Sequence, residues 1–263
     1  MGTFEDETVS ANRRAPGRTQ RGAGDELTVI VTPVPEETAG LLRRMADLRR
    51  ERRDGLSARI GRLGGRSVVV VSTGDGARNA ERGLRAALAS WRPHRVLVLG
   101  IAGGLTDELE VGQVVLGERL LDATGPAPAP DRAWGEAAGV FCASATVFSS
   151  LRLAVTPEEK LATRDGLPEG PAVVDLESAA FARAASDAGV PFVVMRAVSD
   201  RADEALPLDF NLFLGEDGGV RRADVVRHVA FRPQLIAPLM DLRRRVELCA
   251  DRLAMAAEEL VSA

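Results

Sequence analysis

Cysteine and histidine are scarce in this sequence of 263 residues. Its two cysteines, Cys142 and Cys249, are too few for a disulfide framework and do not have the spacing of metal ligands. Only His94 and His228 could add imidazole ligands. We therefore expect no disulfide framework and no metal site. A reducing cytoplasm is the expected compartment.

Long apolar runs and a strong net charge are also missing. No stretch approaches the roughly 18 consecutive apolar residues that a membrane-spanning helix needs. The formal net charge is −4, which provides no general basic field for nucleic acid. Arginine is abundant whereas Lys160 is the only lysine, and we interpret this as a bias of composition. The composition therefore indicates neither a nucleic acid partner nor a membrane span.

Residues 1–26 differ from the rest of the chain. They contain the pair Arg13-Arg14 but not the apolar segment that a signal peptide requires. We expect them to form a disordered N-terminal tail. Apolar residues make up 45% of the sequence and charged residues 27%, which is ordinary for a soluble domain. Residues 27–263 are expected to form a single α/β domain.

Apolar runs alternate with segments of helical periodicity along this domain. Buried strands are predicted at Leu27–Thr32, Ser67–Thr73, Arg95–Leu99, Val111–Asp122, Val140–Phe148, Ala172–Asp175 and Pro191–Val198. Helices are predicted at Glu37–Arg53, Ala80–Leu88, 157–164 and Leu176–Ala188. This alternation predicts a three-layer α/β/α fold with a central mixed, mostly parallel sheet and helices on both faces.

The segment Pro233–Leu260 is a long amphipathic stretch at the end of the domain. Its apolar residues follow helical spacing, and arginines crowd its polar side. We predict a long C-terminal helix that packs on the sheet or on a partner subunit. Contact with a membrane surface is the alternative.

Informative residues follow five of the predicted strands. They are Glu36-Glu37, Gly74-Asp75-Gly76, the glycine-rich run Gly100–Gly104, Glu177-Ser178 and Ser199-Asp200. In open α/β sheets, ligands bind at the carboxyl ends of the strands. Taken one at a time, the glycines equally fit plain turns, and the acidic residues equally fit helix starts. Their convergence predicts a ligand site at this edge.

Four motifs in order resemble those of one enzyme family. Val174–Ala180 (VDLESAA) resembles V-[DE]-M-E-[SA], and Pro191–Asp203 (PFVVMRAVSDRAD) resembles a motif that ends in S-D-x-A-D. Gly100–Leu105 with Val111–Val115 resembles G-x-A-G-G-L and V-G-D-[IV]-V. Thr32–Glu37 (TPVPEE) is similar to the first loop of futalosine hydrolases. The chain thus resembles the methylthioadenosine/S-adenosylhomocysteine nucleosidases of the nucleoside phosphorylase superfamily.

The resemblance implies a role for three acidic residues. Asp200 would protonate N7 of the departing purine, and burial would have to keep a proton on it. Glu177 would accept hydrogen bonds from the ribose 2′ and 3′ hydroxyls, and Glu37, with Glu36 as the fallback, would activate a water. The other implied substrate-binding residues are Gly74, Ile101, Gly103, Ser149, Leu153, Leu176 and Ser199. The resemblance implies no metal or organic cofactor, a small-molecule purine nucleoside as ligand, and a homodimer.

The implied reaction is hydrolysis of an adenine nucleoside with a 5′-thioether or apolar 5′ substituent. Asp200, where relatives that release hypoxanthine tend to carry Asn, favours adenine as the base. Ile101 replaces a hydroxyl residue that helps bind phosphate in phosphorylases, and Arg78 is the nearest candidate for a phosphate-binding arginine. Two alternatives remain, namely a phosphate-dependent phosphorylase and a non-catalytic nucleoside-binding module. Leu153 falls where many relatives stack an aromatic ring on the base.

The segment after Asp200 indicates a subtype. Leu206–Phe210 and the arginine-rich tail resemble the hopanoid-associated branch of phosphorylase-like proteins, which is linked to the removal of adenine from an adenosyl-hopane. Six apolar residues crowd this region, and they either pack against the C-terminal helix or line a channel for the 5′ substituent. They are Leu206, Leu208, Phe210, Leu212, Phe213 and Leu214.

Overall fold

A computed structural model describes residues 26–137, 142–215 and 218–263. Its strands are β1 (Thr28–Thr32), β2 (Ala46–Arg53), β3 (Leu56–Leu63), β4 (Arg66–Ser72), β5 (Arg95–Gly104), β6 (Val114–Asp122), β7 (Gly125–Pro126), β8 (Ala143–Ser149), β9 (Ala172–Asp175) and β10 (Phe192–Asp200). Apart from Glu26, the predicted N-terminal tail lies outside the described residues, as do residues 140 and 141 of a predicted strand.

The helices connect these strands and follow them. They are α1 (Ala39–Arg44), α2 (Ala77–Trp91), α3 (Arg132–Glu136), α4 (Pro157–Arg164), α5 (Ser178–Asp187), α6 (Arg222–Ala230) and α7 (Ile236–Ser262). Short 3₁₀ turns lie at Pro35–Thr38, Phe210–Phe213 and Pro233–Leu235. Across the described ranges, no helix is long and apolar enough to cross a membrane.

The strands form one ten-stranded mixed sheet. Strands β4, β1, β5 and β10 run parallel and side by side. Strand β10 also pairs antiparallel with β6, and the order β6–β8–β9 leads back to β5. This half of the sheet therefore closes on itself as a five-stranded barrel. The carboxyl ends of β1, β5, β9 and β10 meet beside it.

Successive residues of the central strands pack on opposite faces of the sheet, as the alternation of side chains along a strand requires. Val29 and Val31 of β1 belong to the core that contains α2 and α5. Ile30, between them, belongs to the core that contains Leu41 of α1 and Leu253 of α7. The predicted three-layer α/β/α fold with a mixed sheet is confirmed, although the sheet is not mostly parallel, because five of the strand pairings among the described residues are parallel and five are antiparallel.

One predicted helix, Glu37–Arg53, is correct in its first half and wrong in its second. The helix α1 ends at Arg44, and Ala46–Arg53 is an edge strand that pairs with β3. The turn between the two strands is Asp54-Gly55, where both residues have positive φ, as a two-residue hairpin turn requires. Leu48, which completed the helical spacing, is exposed. Pairing with a strand later in the chain overrides the local preference for helix.

Candidate active site

A cavity of about 250 Å³ opens where the carboxyl ends of β1, β5, β9 and β10 meet. It brings together the three predicted catalytic carboxylates, Glu37, Glu177 and Asp200. Five of the predicted substrate-binding residues also line it: Ile101, Gly103, Leu153, Leu176 and Ser199. The convergence expected at this edge of the sheet is therefore present in the fold.

Glu37 lies in the 3₁₀ turn that directly follows β1 and is buried. Its Oε1 accepts a hydrogen bond from the Ile101 N–H at 3.0 Å, and its Oε2 accepts one from the Val34 N–H at 3.4 Å. Burial raises the pKa of Glu37 to about 7, although these bonds and the Arg196 guanidinium oppose the shift. Its neighbour Glu36 is exposed and pairs with Arg222 at the surface. Of Glu36 and Glu37, only Glu37 faces the cavity.

Glu177 occupies the N-cap position of α5, directly after β9. Its Oε1 accepts a hydrogen bond from the Gly76 N–H at 2.7 Å, which ties the end of β9 to the start of α2. Burial, with a smaller contribution from the nearby Asp175 carboxylate, raises the pKa of Glu177. A Cβ at Gly76, whose φ is +85°, would lie 2.9 Å from the Gly218 backbone, so only glycine brings this N–H to the carboxylate.

Asp200 is the last residue of β10, and it is buried as expected. Its Oδ1 accepts a hydrogen bond from the Ser199 hydroxyl at 2.5 Å. Its Oδ2 lies 2.5 Å from the ammonium nitrogen of Lys160. Lys160 had no predicted role, because a single lysine in an arginine-rich chain is explained by a bias of composition. The structure places this lysine against the predicted general acid.

Arg196 is a second charged residue that the sequence analysis missed, although it lies within a quoted motif. It is fully buried in β10, and its Nη2 contacts the Asp175 Oδ2 at 2.6 Å and the Ser178 hydroxyl at 2.9 Å. Its Nη1 has no hydrogen-bond acceptor within the described part of the chain. The sequence contained a signal for Arg196, namely an arginine inside an apolar strand. A buried charge needs partners, so such a residue is expected to be paired.

Gly100 lies where Arg196 and Glu37 approach each other. A Cβ at this position would lie 1.8 Å from the Arg196 Nη1 and 3.4 Å from the Glu37 Oε1. Because Gly100 has no side chain, the buried Arg196 Nη1 occupies the space that a Cβ would fill and lies close to the Glu37 carboxylate. Its positive charge opposes the rise in the pKa of Glu37.

Two predicted substrate-binding residues do not line the cavity. The Ser149 hydroxyl donates a hydrogen bond to the Asp175 Oδ1 at 2.6 Å and accepts one from the Ala179 N–H. Ser149 therefore supports the buried ion pair beneath the site. Gly74 lies in the turn after β4, where its N–H donates to the Pro33 carbonyl, and its neighbour Asp75 lines the cavity instead.

The loop that carries Leu153 is held by one side chain. The Asn211 amide accepts a hydrogen bond from the Leu153 N–H at 2.9 Å and donates one to the Leu153 carbonyl at 3.0 Å. An amide that satisfies both backbone groups fixes the local chain direction. The aliphatic side chain of Leu153 then forms one wall of the cavity.

The apolar residues after Asp200 divide into two groups. Leu206 and Phe210 line the cavity, which Leu242 and Val246 of α7 also line. Phe213 is buried elsewhere, edge-on against His228 with ring centroids 5.2 Å apart, and Leu212 is exposed. Leu206 and Phe210 are therefore the residues of this segment that lie at the cavity, whereas Phe213 packs against α6 and not against the C-terminal helix as expected.

Known proteins resemble this chain in sequence and in structure. The chain matches the model of the family described as Phosphorylase superfamily over residues 28–166 and 139–230. It is 30% identical over 209 residues to a 5′-methylthioadenosine/S-adenosylhomocysteine nucleosidase of Marinomonas sp., covering 70% of this chain and 90% of the relative. A nucleosidase of the same name from Geobacillus thermodenitrificans is 28% identical over 208 residues, covering 70% and 88%.

Two solved structures share the fold. The nucleosidase of Neisseria meningitidis, in complex with methylthio-immucillin-A, has a TM-score of 0.70 at 23% identity and covers 90% of this chain and 99% of its own. The futalosine hydrolase of Helicobacter pylori has a TM-score of 0.70 at 15% identity, with coverages of 90% and 97%.

Proposed function

This chain belongs to the phosphorylase superfamily, and from that premise we propose that it is an N-glycosidase that hydrolyses an adenine nucleoside and releases adenine. The observation that carries the proposal is the convergence of Glu37, Glu177 and Asp200 in one cavity at the carboxyl ends of the sheet. A module that only bound nucleosides would have less need of a proton donor together with a base for water.

Cleavage of the bond between base and ribose builds charge in two places. The ribose becomes positively charged, and the purine leaves as an anion unless it is protonated. Asp200 would supply the proton to N7, which makes the purine a neutral leaving group. Glu177 would accept hydrogen bonds from the ribose hydroxyls, and its negative charge would favour the positive charge that develops on the sugar.

Water is the nucleophile that this site favours over phosphate. A water in the cavity could donate a proton to the Glu37 carboxylate, which lines it. A phosphate dianion placed there would meet the Glu37 carboxylate, a like charge. Ile101, which follows Gly100, adds no hydroxyl donor.

The decisive experiment measures adenine release from methylthioadenosine by the purified protein in phosphate-free buffer. We expect adenine and a reducing sugar at a rate that added phosphate does not change. Release that requires phosphate and yields the sugar phosphate would make the protein a phosphorylase. Tight nucleoside binding without release would make it a binding module.

The pH dependence tests Glu37 as the base for water. Because burial places its pKa at about 7, Glu37 should contribute a rise of kcat/KM with pH that is centred near neutrality. Glu37→Gln should lower turnover by about 10²-fold or more and remove this rise. Glu36→Gln, a change at the exposed neighbour, is the matched control and should keep the wild-type profile. An unchanged acidic limb in Glu37→Gln would assign the limb to another group.

The same variant makes a prediction for stability. In the unfolded chain Glu37 loses its proton near its ordinary pKa of 4.5, whereas the folded protein retains it up to about pH 7. The folded state therefore loses stability as pH rises between these values, by about 3 kcal/mol at most. The side chain introduced by Glu37→Gln does not titrate. The melting temperature of this variant should therefore rise relative to that of the wild type as pH increases from 4.5 to about 7.

The apolar wall of the cavity supports a substrate with an apolar or thioether 5′ substituent, as a hopanoid-type substrate would carry. With 5′-alkylthioadenosines from methyl to butyl, we expect affinity to rise by up to about fourfold for each methylene that becomes buried. Leu242→Ala should flatten this trend and leave hydrolysis of methylthioadenosine largely unchanged. Met255→Ala, on an exposed part of α7, is the control. A wild-type affinity independent of chain length would contradict the channel.

We also propose a domain organisation, an oligomeric state and a cellular compartment. Residues 27–263 form one domain, since the strands of the single sheet come from most of this range. A homodimer is supported by exposed apolar residues around the start of α7, among them Phe231 and Ile236. Light scattering of the purified protein would test it, since a monomer at micromolar concentration contradicts it. Two unpaired buried cysteines fit a reducing cytoplasm.

A further inference from the structure

Lys160, like Arg196, is a fully enclosed cation in the site region. It lies on α4 with a relative exposure of 1%, and three oxygens surround its ammonium group. They are the Asp200 Oδ2 at 2.5 Å, the Arg201 carbonyl at 2.5 Å and the Glu204 carbonyl at 2.8 Å. An ammonium group has three N–H donors, so all of them are used.

A buried ion pair such as Lys160–Asp200 contributes little to the stability of a fold. Moving both an ammonium and a carboxylate out of water is costly, and apolar residues of similar volume often stabilise a fold at least as well. Here the anion of the pair is the residue proposed to protonate the leaving base. Asp200 also lines a second cavity, on the side of Glu204 and Arg245, which gives water a route toward the pair.

The charged groups around the pair are already matched with one another. The Glu204 carboxylate pairs with Arg245, which also pairs with Asp241, and Asp203 pairs with Arg201. Burial raises the pKa of the Cys249 thiol to about 12, so α7 presents a neutral group here. Within the described ranges, Asp200 is the side-chain carboxylate that Lys160 contacts.

We propose that Lys160 is a positioning residue that stores the proton of the general acid, an inference that rests on the proposed function. In the free enzyme the proton resides on the Lys160 Nζ, and Asp200 is a carboxylate. As the glycosidic bond breaks and its electron pair moves to the purine, one Nζ–H bond breaks and the proton passes to the Asp200 carboxyl. The carboxyl gives a proton to N7, and a new N7–H bond forms. Asp200 ends as a carboxylate and Lys160 as a neutral amine, which regains its proton from water.

The test compares Lys160→Met and Lys160→Arg on two leaving groups. Met removes the charge, whereas Arg keeps it but does not release a proton. On methylthioadenosine we expect both variants to lose about 10²-fold or more in kcat, with KM changed little. On p-nitrophenyl 5-methylthioribofuranoside, whose leaving group needs no proton, the loss should be less than about fivefold.

Arg164→Met, one turn further along α4, is the matched control. The Arg164 guanidinium also donates to backbone carbonyls, those of Leu167 and Gly170, but it does not contact Asp200. This variant should keep the wild-type ratio between the two leaving groups. Equal losses on both leaving groups in the Lys160 variants would reduce Lys160 to a structural role. Wild-type activity on methylthioadenosine in Lys160→Arg would overturn the proton store.

A second readout does not depend on turnover. Since Lys160 is the only lysine, labelling with ¹⁵N-lysine gives a single side-chain ammonium signal that needs no further assignment. We expect this signal to be slow to exchange with water at neutral pH and to shift in Asp200→Asn. A fast-exchanging signal that Asp200→Asn leaves unchanged would overturn the pairing itself. Absence of adenine release by the wild type would instead count against the proposed function.

Discussion

Asp200→Asn is expected to lower adenine release from methylthioadenosine by about 10³-fold. An amide can occupy the same space and contact the base, but it has no acidic proton to give to N7. The substitution should also destabilise the fold, because it leaves the buried Lys160 ammonium without its anion, at a cost of about 3–5 kcal/mol. Initial rates of adenine formation and thermal melting measure the two effects separately.

A double variant separates the loss of chemistry from the loss of stability. Asp200→Asn combined with Lys160→Met removes both charges, so much of the lost stability should return. Activity should not return, because the proton donor is still absent. If Asp200→Asn released adenine at the wild-type rate, Asp200 would have no part in the mechanism. If the double variant regained activity with stability, the single variant would merely have been unfolded.

Glu177→Gln is expected to leave the fold intact and to lower turnover by about 10²–10³-fold. The amide oxygen of glutamine can still accept the Gly76 N–H, so the link between β9 and α2 should persist. Burial raises the pKa of Glu177, which means that ionising it in the folded state costs stability. The folded protein loses that stability as pH rises from the unfolded pKa through the raised one. The neutral variant should therefore melt at an equal or higher temperature at alkaline pH.

The sugar contact of Glu177 is tested with a 2′-deoxy substrate. Part of the proposed contact is already missing in such a nucleoside, so Glu177→Gln should cost it less than it costs the ribonucleoside. The ratio of kcat/KM between variant and wild type, measured for both sugars, gives the answer. Equal losses would mean that Glu177 does not hold the 2′ hydroxyl.

Much of the site follows from where the chain leaves its strands. Glu37 and Glu177 follow β1 and β9 within five residues, and Asp200 ends β10. Such positions meet wherever strand ends share an edge. This placement depends on local patterns alone, so it was predictable. Gly74 and Ser149 show the limit of prediction from strand ends. Each is near a strand end, but it hydrogen-bonds to a structural partner and does not line the cavity.

The buried cations could not be placed from local patterns. Lys160 meets Asp200 across 40 positions of sequence, and Arg196 meets Asp175 only because β9 and β10 both join β5. Each partner is set by the register between strands, which one sequence does not reveal. The hairpin β2–β3 was missed for a related reason. Its first strand has helical spacing, and only its pairing with β3 makes it extended.

Helix α7 also determines when the protein can become active during its synthesis. It packs Leu253 and Leu260 into the core and places Leu242 and Val246 on the wall of the cavity. The ribosome completes α7 after every other described element, and chains begin to fold while they are still being made. A nascent chain without α7 therefore lacks one wall of the cavity and part of the core that holds the sheet. Catalysis should begin only after α7 has emerged, so an arrest of translation within this helix should leave a chain without activity.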